Sequence, residues 1–136
     1  MSDNKFMLEA IKEAEKAFKL EEVPVGVVIV KDNKIISRAF NRKEIDNISI
    51  RHAELIAIEK ACIKLKSWRL DDCTLYTTLE PCSMCMGAIK ESRISRVVYG
   101  CSKSLNYFPG NNLVVDGNIE SNKCLELLQR FFKNKR

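Results

Sequence analysis

Residues 73–85, CTLYTTLEPCSMC, join a run of strand-forming residues directly to a proline and two cysteines. Threonine and tyrosine favour a β-strand over residues 73–78. The segment that follows, residues 81–92, is predicted to be a helix, because proline is favoured at the first helical position. A strand that leads straight into a helix is typical of α/β folds. Cys82 and Cys85 would then lie on the first turn of that helix.

The segments on either side of this unit also alternate between helical and strand patterns. Apolar residues recur at helical spacing near the N-terminus, where Ser2 or Asp3 can cap a helix. Helices are predicted at about 3–20, 52–66, 81–92 and 121–135, strands at 23–30, 35–41, 73–78, 96–100 and 113–116, and loops at 42–51 and 101–112. This order predicts a three-layer α/β/α sandwich, in which one mixed five-stranded sheet has helices on both faces.

Length, composition and charge limit the classes of protein to consider. The chain has 136 residues, 46% of them hydrophobic and 30% charged, so we expect one soluble domain over residues 1–136. Its apolar runs are too short to cross a bilayer, and its first twenty residues are too charged for a signal peptide. We therefore expect no membrane association and a cytoplasmic location. The net charge of +5 favours a polyanionic partner such as RNA, although many lysine-rich cytosolic proteins are equally basic.

The spacing of two of the six cysteines suits a metal site. In a reducing compartment, cysteines are more often buried thiols or metal ligands than a disulfide framework. Cys82 and Cys85, three positions apart on a helix, would share one face with Cβ atoms about 5–6 Å apart. This separation suits two corners of a tetrahedral zinc site, and a helix N-terminus favours thiolate. A thioredoxin-like redox pair is the main alternative, and it needs neither a third ligand nor a nearby acid.

His52, the one histidine of the chain, opens the second predicted helix. An isolated histidine is most simply a capping or half-buried residue. His52, however, lies at a strand–helix junction, as Cys82 does, and parallel strands that feed helices at one sheet edge bring the helix N-termini together. His52, Cys82 and Cys85 would then meet at one ion. Three protein ligands with an open fourth position are typical of catalytic rather than structural zinc.

Glu54 lies two residues after His52. An acidic residue in the first turn of a helix is ordinary, because negative charge is favoured there. Beside a metal that activates water, however, a carboxylate can take a proton and return it to a ring nitrogen and to a leaving amine. We therefore predict that Glu54 is the catalytic proton shuttle.

These motifs together resemble a known enzyme family. "HAE" followed by "PCSMC" matches H-x-E…P-C-x-x-C, the pattern of the zinc nucleobase deaminases. In more detail the chain resembles the tRNA-specific adenosine deaminases, which convert the wobble adenosine to inosine, from about Phe6 to Phe132. The stretches that carry this resemblance are "EEVPVGVVIV", "AFNRK", "HAELIAI", "TLYTTLEPCSMCMGAI", "SRISRVVYG" and "LLQRFF".

The resemblance implies a cytidine deaminase-like fold and hydrolytic deamination of the wobble adenosine in a tRNA anticodon loop, with release of ammonia. It implies one Zn²⁺ per chain, held by His52, Cys82 and Cys85, with Glu54 as the proton shuttle. The implied partners are a tRNA anticodon stem-loop and a second copy of the chain, since the family usually forms homodimers.

The resemblance also implies substrate contacts. Asn41 would hydrogen-bond the flipped base, and Glu22 and Val25 would line the mouth of the pocket. From the residues alone, Asn41 is equally a strand-ending turn residue, and Val25 equally a core residue. Phe131, with its aromatic neighbour and flanking cations, would meet RNA, although such phenylalanines also pack on sheets.

Two segments depart from the family pattern. "ISIR" precedes the histidine, where bacterial members usually carry Asp-Pro-Thr-Ala, and the arginine there resembles the eukaryotic catalytic subunit. The segment 101–118 is shorter than the usual glycine-rich loop and has Lys103 in place of an aspartate. We expect substrate choice to be determined in this second segment.

The departures raise a second enzymatic hypothesis, a free nucleobase deaminase of the same fold that acts on cytosine or guanine. Residues 73–89 are also similar to small fungal-type cytosine deaminases, and guanine deaminases are a third relative. A non-enzymatic alternative is a structural zinc module or an inactive partner subunit. Neither needs a glutamate beside the metal, so the presence of Glu54 counts against both.

Overall fold

The computed structural model describes residues 2–102 and 113–134. The helices are α1 (Ser2–Lys19), α2 (Lys43–Asp46), α3 (Ala53–Leu65), α4 (Ser83–Glu91) and α5 (Ser121–Asn134), and the strands are β1 (Gly26–Lys31), β2 (Lys34–Phe40), β3 (Cys73–Leu79), β4 (Arg96–Cys101) and β5 (Val114–Asp116). The predicted order is confirmed, except that α2 forms one turn within the predicted loop 42–51. Lys103, most of the predicted loop 101–112, and residues 135–136 lie outside the described residues.

Most element boundaries differ from the prediction by one to three residues, and two of these differences affect the site. β1 begins at Gly26 rather than at residue 23, because Pro24 has no N–H to contribute to a strand ladder. α4 begins at Ser83, so Pro81 precedes the helix instead of opening it. Cys82 is therefore the N-cap residue of α4, the residue that directly precedes the first helical residue.

The five strands form one mixed sheet in the order β2-β1-β3-β4-β5. β1 is antiparallel to both of its neighbours, whereas β3, β4 and β5 pair in parallel. β2 and β3 therefore run in the same direction with β1 between them. Because α3 follows β2 and α4 follows β3, both helices begin at the same edge of the sheet.

The helices cover both faces of the sheet. α1 and α5 contact each other, and α3 and α4 contact each other. Gly26 of β1 faces α1, because a side chain there would overlap the α1 backbone. Ser37 of β2 faces α3, since its hydroxyl donates a hydrogen bond to the carbonyl of Ala57 at 2.9 Å. The predicted three-layer sandwich is confirmed, and no helix among residues 2–102 and 113–134 is long and apolar enough to cross a membrane.

The N-terminus of α1 is tied to the sheet by ion pairing. Asp3 accepts hydrogen bonds from the guanidinium of Arg96 at 2.8 Å and from the hydroxyl of Tyr76 at 2.7 Å. The hydrogen bond from Arg96 is the largest cause of a pKa of Asp3 lowered to about 2. This attachment fixes one end of α1, and the other end leads into the chain that enters β1.

Replacing Gly26 with alanine should destabilise the fold. A methyl group there would overlap the backbone of Ala10 and Ala14, which cannot move without displacing α1 from the sheet. We expect the free energy of unfolding in urea to fall by about 3 kcal/mol, as for overpacking of a core. Gly87→Ala is the matched control, because Gly87 lies in α4 with open space around it. That change should raise stability by about 0.5–1 kcal/mol, and equal effects of the two changes would contradict the close contact.

Candidate metal centre and substrate cavity

His52 and Cys82 occupy equivalent positions in the fold. Each is the N-cap residue of its helix, α3 or α4, with extended backbone at φ −75° and −73°. Neither side chain makes a capping hydrogen bond to its own helix. Since α3 and α4 begin at one sheet edge and contact each other, their N-caps bring the imidazole and the thiol together.

The three predicted ligands lie at distances that fit a zinc ion. Nδ1 of His52 is 3.4 Å from Sγ of Cys85 and 3.8 Å from Sγ of Cys82. The three ligand atoms all lie within 4.8 Å of one another. Tetrahedral zinc with bonds of about 2.3 Å to sulfur and 2.0 Å to nitrogen separates nitrogen from sulfur by about 3.6 Å. The donor set and its dimensions therefore fit zinc with three protein ligands.

The surroundings of Cys85 favour metal binding over redox chemistry. The side chain is fully buried, and burial, followed by the charge of Glu54, raises the pKa of the Cys85 thiol. A thiol in such surroundings loses its proton when a cation compensates the charge. Redox cysteines instead combine a low pKa with access to solvent. A redox pair needs neither a third ligand nor a nearby acid, so the presence of His52 and Glu54 beside the cysteines argues against the redox alternative.

Glu54 lies beside the ligands on a cavity wall. It belongs to the first turn of α3, and its side chain is only 5% exposed. His52, Glu54 and Cys82 line the same cavity, which has a volume of about 270 Å³. The carboxylate is therefore placed to exchange protons with a molecule that occupies the cavity next to the three ligands.

The rest of the wall combines apolar side chains with polar groups. The complete lining is Val23, Val25, Asn41, Lys43, His52, Glu54, Leu79, Glu80, Cys82 and Phe132. Apolar walls with a few fixed polar groups are typical of small-molecule sites. A flipped base stacks on apolar or aromatic side chains and forms hydrogen bonds to polar groups at its edge. A second, larger cavity of about 530 Å³ shares Val23, Leu79 and Phe132 with the first and continues along α5.

The four predicted substrate contacts divide into two pairs. Val25 and Asn41 lie on the cavity wall. Glu22 and Phe131 do not belong to the wall. Glu22 is fully buried, and Phe131 packs edge-on against Phe18 with ring centroids 6.3 Å apart.

Phe132, the neighbour of Phe131, lines the cavity. Its side chain is 52% exposed, whereas that of Phe131 is 8% exposed. Helical periodicity distinguishes Phe131 from Phe132. One face of α5 is buried and consists of Cys124, Leu127, Leu128 and Phe131. Phe132 lies next to that face. Lys43 and Glu80 are also on the wall, and neither was singled out from the sequence.

The comparisons with known proteins agree with this geometry. Residues 1–101 match the family model of the cytidine and deoxycytidylate deaminase zinc-binding region. The chain is 44% identical to the tRNA-specific adenosine deaminase of Bacillus subtilis, over 98% of this chain and 91% of that protein.

Two solved structures of deaminases are also similar to the chain. One, from studies of A-to-I editing by tRNA:A34 deaminases at the wobble position of transfer RNA, has a TM-score of 0.85 and 34% identity. The match covers 91% of this chain and 99% of that one. The guanine deaminase of Bacillus subtilis has a TM-score of 0.69 and 41% identity over 72% of this chain and 63% of that one. The chain therefore belongs to the cytidine and deoxycytidylate deaminase family of zinc-binding proteins.

Proposed function

We propose that this chain is a zinc-dependent hydrolytic deaminase that converts the wobble adenosine of a tRNA anticodon loop to inosine. One observation carries the proposal: His52, Cys82 and Cys85 lie together at zinc-binding distances beside the buried Glu54. The likeness to a tRNA-specific adenosine deaminase over nearly the whole chain supports the choice of substrate. Residues 1–136 would act as a single deaminase domain.

The chemistry requires water activation and two proton transfers. His52, Cys82 and Cys85 would hold one zinc ion per chain. Bound zinc supplies Lewis-acid chemistry, lowering the pKa of water so that hydroxide is available at neutral pH. Glu54 would take the proton from water as its oxygen adds to C6 of adenine, and would pass that proton to N1. It would then take the proton of the new C6 hydroxyl and pass it to the amine, so that the C6–N bond breaks and adenosine and water give inosine and ammonia.

Other residues of the cavity wall would hold the base and the sugar–phosphate backbone of the RNA. Asn41 would hydrogen-bond the base, and Val25 would pack against it. Phe132 offers an exposed ring on which a base can stack. The exposed Lys43 would meet a phosphate. Because bases of an anticodon loop are unpaired, little unstacking energy is needed to place one in the cavity.

The assembly and location of the chain are part of the same proposal. Ile45, Ile48 and Ile50 leave large apolar side chains exposed just before His52. Three large apolar side chains exposed within six residues suit a protein interface, and they support a homodimer with the active site near the partner. A tRNA substrate in a chain with free cysteines is consistent with a cytoplasmic enzyme.

A free-base deaminase is the second candidate function. The 41% identity to a guanine deaminase over 72% of this chain favours it. Two other observations favour the tRNA substrate instead. The larger cavity, which adjoins the one lined by His52 and Glu54, suits a substrate longer than one base. The net charge of +5 also favours a polyanion.

Product analysis distinguishes the two functions. Zinc-loaded protein would be incubated with an anticodon stem-loop that carries adenosine at the wobble position and, in parallel, with free cytosine and free guanine. Chromatography and mass spectrometry of the products should show inosine from the stem-loop. Uracil or xanthine without inosine would overturn the tRNA assignment in favour of the free-base function.

Phe132→Ala should weaken catalysis without weakening the fold. Loss of a stacking ring costs about 1–3 kcal/mol per base, so we expect kcat/KM for the stem-loop to fall roughly 5- to 150-fold. Phe131→Ala is the matched comparison, since it removes a buried ring and should lower the free energy of unfolding by about 3–5 kcal/mol. Urea unfolding and inosine formation measure the two effects. Unchanged kinetics in Phe132→Ala would contradict its placement against RNA.

A further inference from the structure

Glu22 is a fully buried carboxylate that does not belong to the cavity wall. It lies in the connection between α1 and β1. Burying a carboxylate is costly unless hydrogen bonds replace its water. Oε1 accepts hydrogen bonds from the backbone N–H groups of Glu44 and Ile45, both at 2.9 Å. Oε2 accepts a hydrogen bond from Nδ2 of Asn41 at 3.2 Å.

The first two hydrogen bonds hold the short helix α2. Glu44 and Ile45 are its second and third residues, and its own N-cap residue, Arg42, makes no side-chain capping hydrogen bond. The first N–H groups of a helix have no partner within the helix. Glu22 therefore caps α2 from a distant part of the chain. This contact fixes the segment that carries Lys43 on the cavity wall.

The third hydrogen bond determines how Asn41 is presented. We infer that Glu22 is a positioning residue that fixes the orientation of the Asn41 side-chain amide for base recognition; this inference rests on the proposed function. A carboxylate only accepts hydrogen bonds, so the end of the amide that faces Oε2 must be Nδ2. The backbone of Asn41 is held as well, because its N–H donates to the carbonyl of Val25 at 3.0 Å.

An amide fixed in this way can offer a base one acceptor and one donor. Oδ1 of Asn41 and its second Nδ2 proton are not used by Glu22. This pair matches a base edge on which an acceptor lies beside a donor, as N7 and the N6 amine do in adenine. A reversed amide would present the same groups in the wrong places. Specificity would therefore depend on a carboxylate that does not line the cavity.

Glu22→Gln is the sharpest test, because it keeps the size of the side chain. The glutamine oxygen can still cap α2, but its amide nitrogen would face Nδ2 of Asn41, donor against donor. The Asn41 amide must then turn over or lose its partner. We expect kcat/KM for the stem-loop to fall roughly 10- to 100-fold, with zinc content and urea unfolding close to those of the unchanged protein.

Two comparisons separate positioning from a general structural role. Glu13→Gln changes another buried glutamate, which pairs with Arg38 and Lys16 away from the cavity, and should leave kcat/KM unchanged. In an Asn41→Ala background, Glu22→Gln should change kcat/KM by no more than about twofold, because both act through one amide. An equal loss in both backgrounds would overturn the inference.

A measurement without substrate keeps this inference distinct from the proposed function. In the unchanged protein, NMR should show one Nδ2 proton of Asn41 protected from solvent exchange, and Glu22→Gln should remove that protection while Glu13→Gln retains it. Identical Asn41 signals in all three proteins would overturn the inference even if inosine forms. An unchanged protein that makes no inosine would overturn the proposed function, while the Asn41 signals would still decide the role of Glu22.

Discussion

Glu54→Ala should abolish inosine formation while zinc content stays near one ion per chain. The three ligand atoms belong to His52, Cys82 and Cys85, so the substitution removes no ligand. It removes the one carboxylate in the first turn of α3, which the reaction needs for both proton transfers. General acid–base catalysis contributes about 10²- to 10⁴-fold per group, and we expect a loss of kcat at the upper end of that range.

Metal analysis and product chromatography on the same preparation check this result. Glu59→Ala is a suitable control, because Glu59 lies on the same helix, is exposed and pairs with Arg51 at 3.4 Å. Its activity should match that of the unchanged protein. Full activity after loss of Glu54 would show that another group moves the protons, and loss of zinc would show that Glu54 is needed to form the site.

Cys85→Ser should remove both zinc and activity. Cys85 contributes the most buried of the three ligand atoms, and serine does not supply the soft thiolate that zinc prefers. Replacing a residue that only hydrogen-bonds to a metal ligand lowers metal affinity about 10- to 100-fold. Replacing Cys85, itself a ligand, should therefore lower zinc affinity by more than that. Added zinc at a thousandfold excess over its Kd should stabilise the unchanged protein by about 4 kcal/mol and this variant hardly at all.

Thermal unfolding with and without zinc, together with metal analysis, measures this effect. Cys62→Ser is the matched control, since Cys62 lies on α3 and does not belong to the group of three ligands. It should keep the full response to zinc. If Cys85→Ser also kept that response, the three-ligand assignment would be wrong.

The metal centre was predictable because its signals are local. Cys82 and Cys85 stand three apart at the start of a helix, and His52 and Glu54 stand at the start of another. Such short motifs require only that two strand–helix junctions meet, and the alternation of strands and helices predicts that they do. The structure adds that β1 separates the two strands, a fact about topology that spacing along the chain does not contain.

The role of Glu22 and the existence of α2 were not predictable in the same way. α2 has four residues and obtains its cap from Glu22, about twenty positions earlier in the chain. Propensity and periodicity describe neighbours in sequence, so a helix held by a distant carboxylate leaves no pattern in them. Phe131 and Phe132 differ for a simpler reason, since one position along α5 turns a side chain by about 100° from the buried face.

The equivalent placement of His52 and Cys82 has a consequence for the order in which the chain folds. These two N-caps are thirty positions apart, and the sheet order β2-β1-β3 is what brings them together in the structure. A metal ion bound there acts as a cross-link that closes a loop of this length, which costs a flexible chain about 3 kcal/mol of entropy. Once the sheet has formed, this loop is already closed and zinc binding does not have to offset its entropy. We therefore expect zinc uptake to follow sheet formation, so that the rate of zinc binding measures how fast the sheet forms.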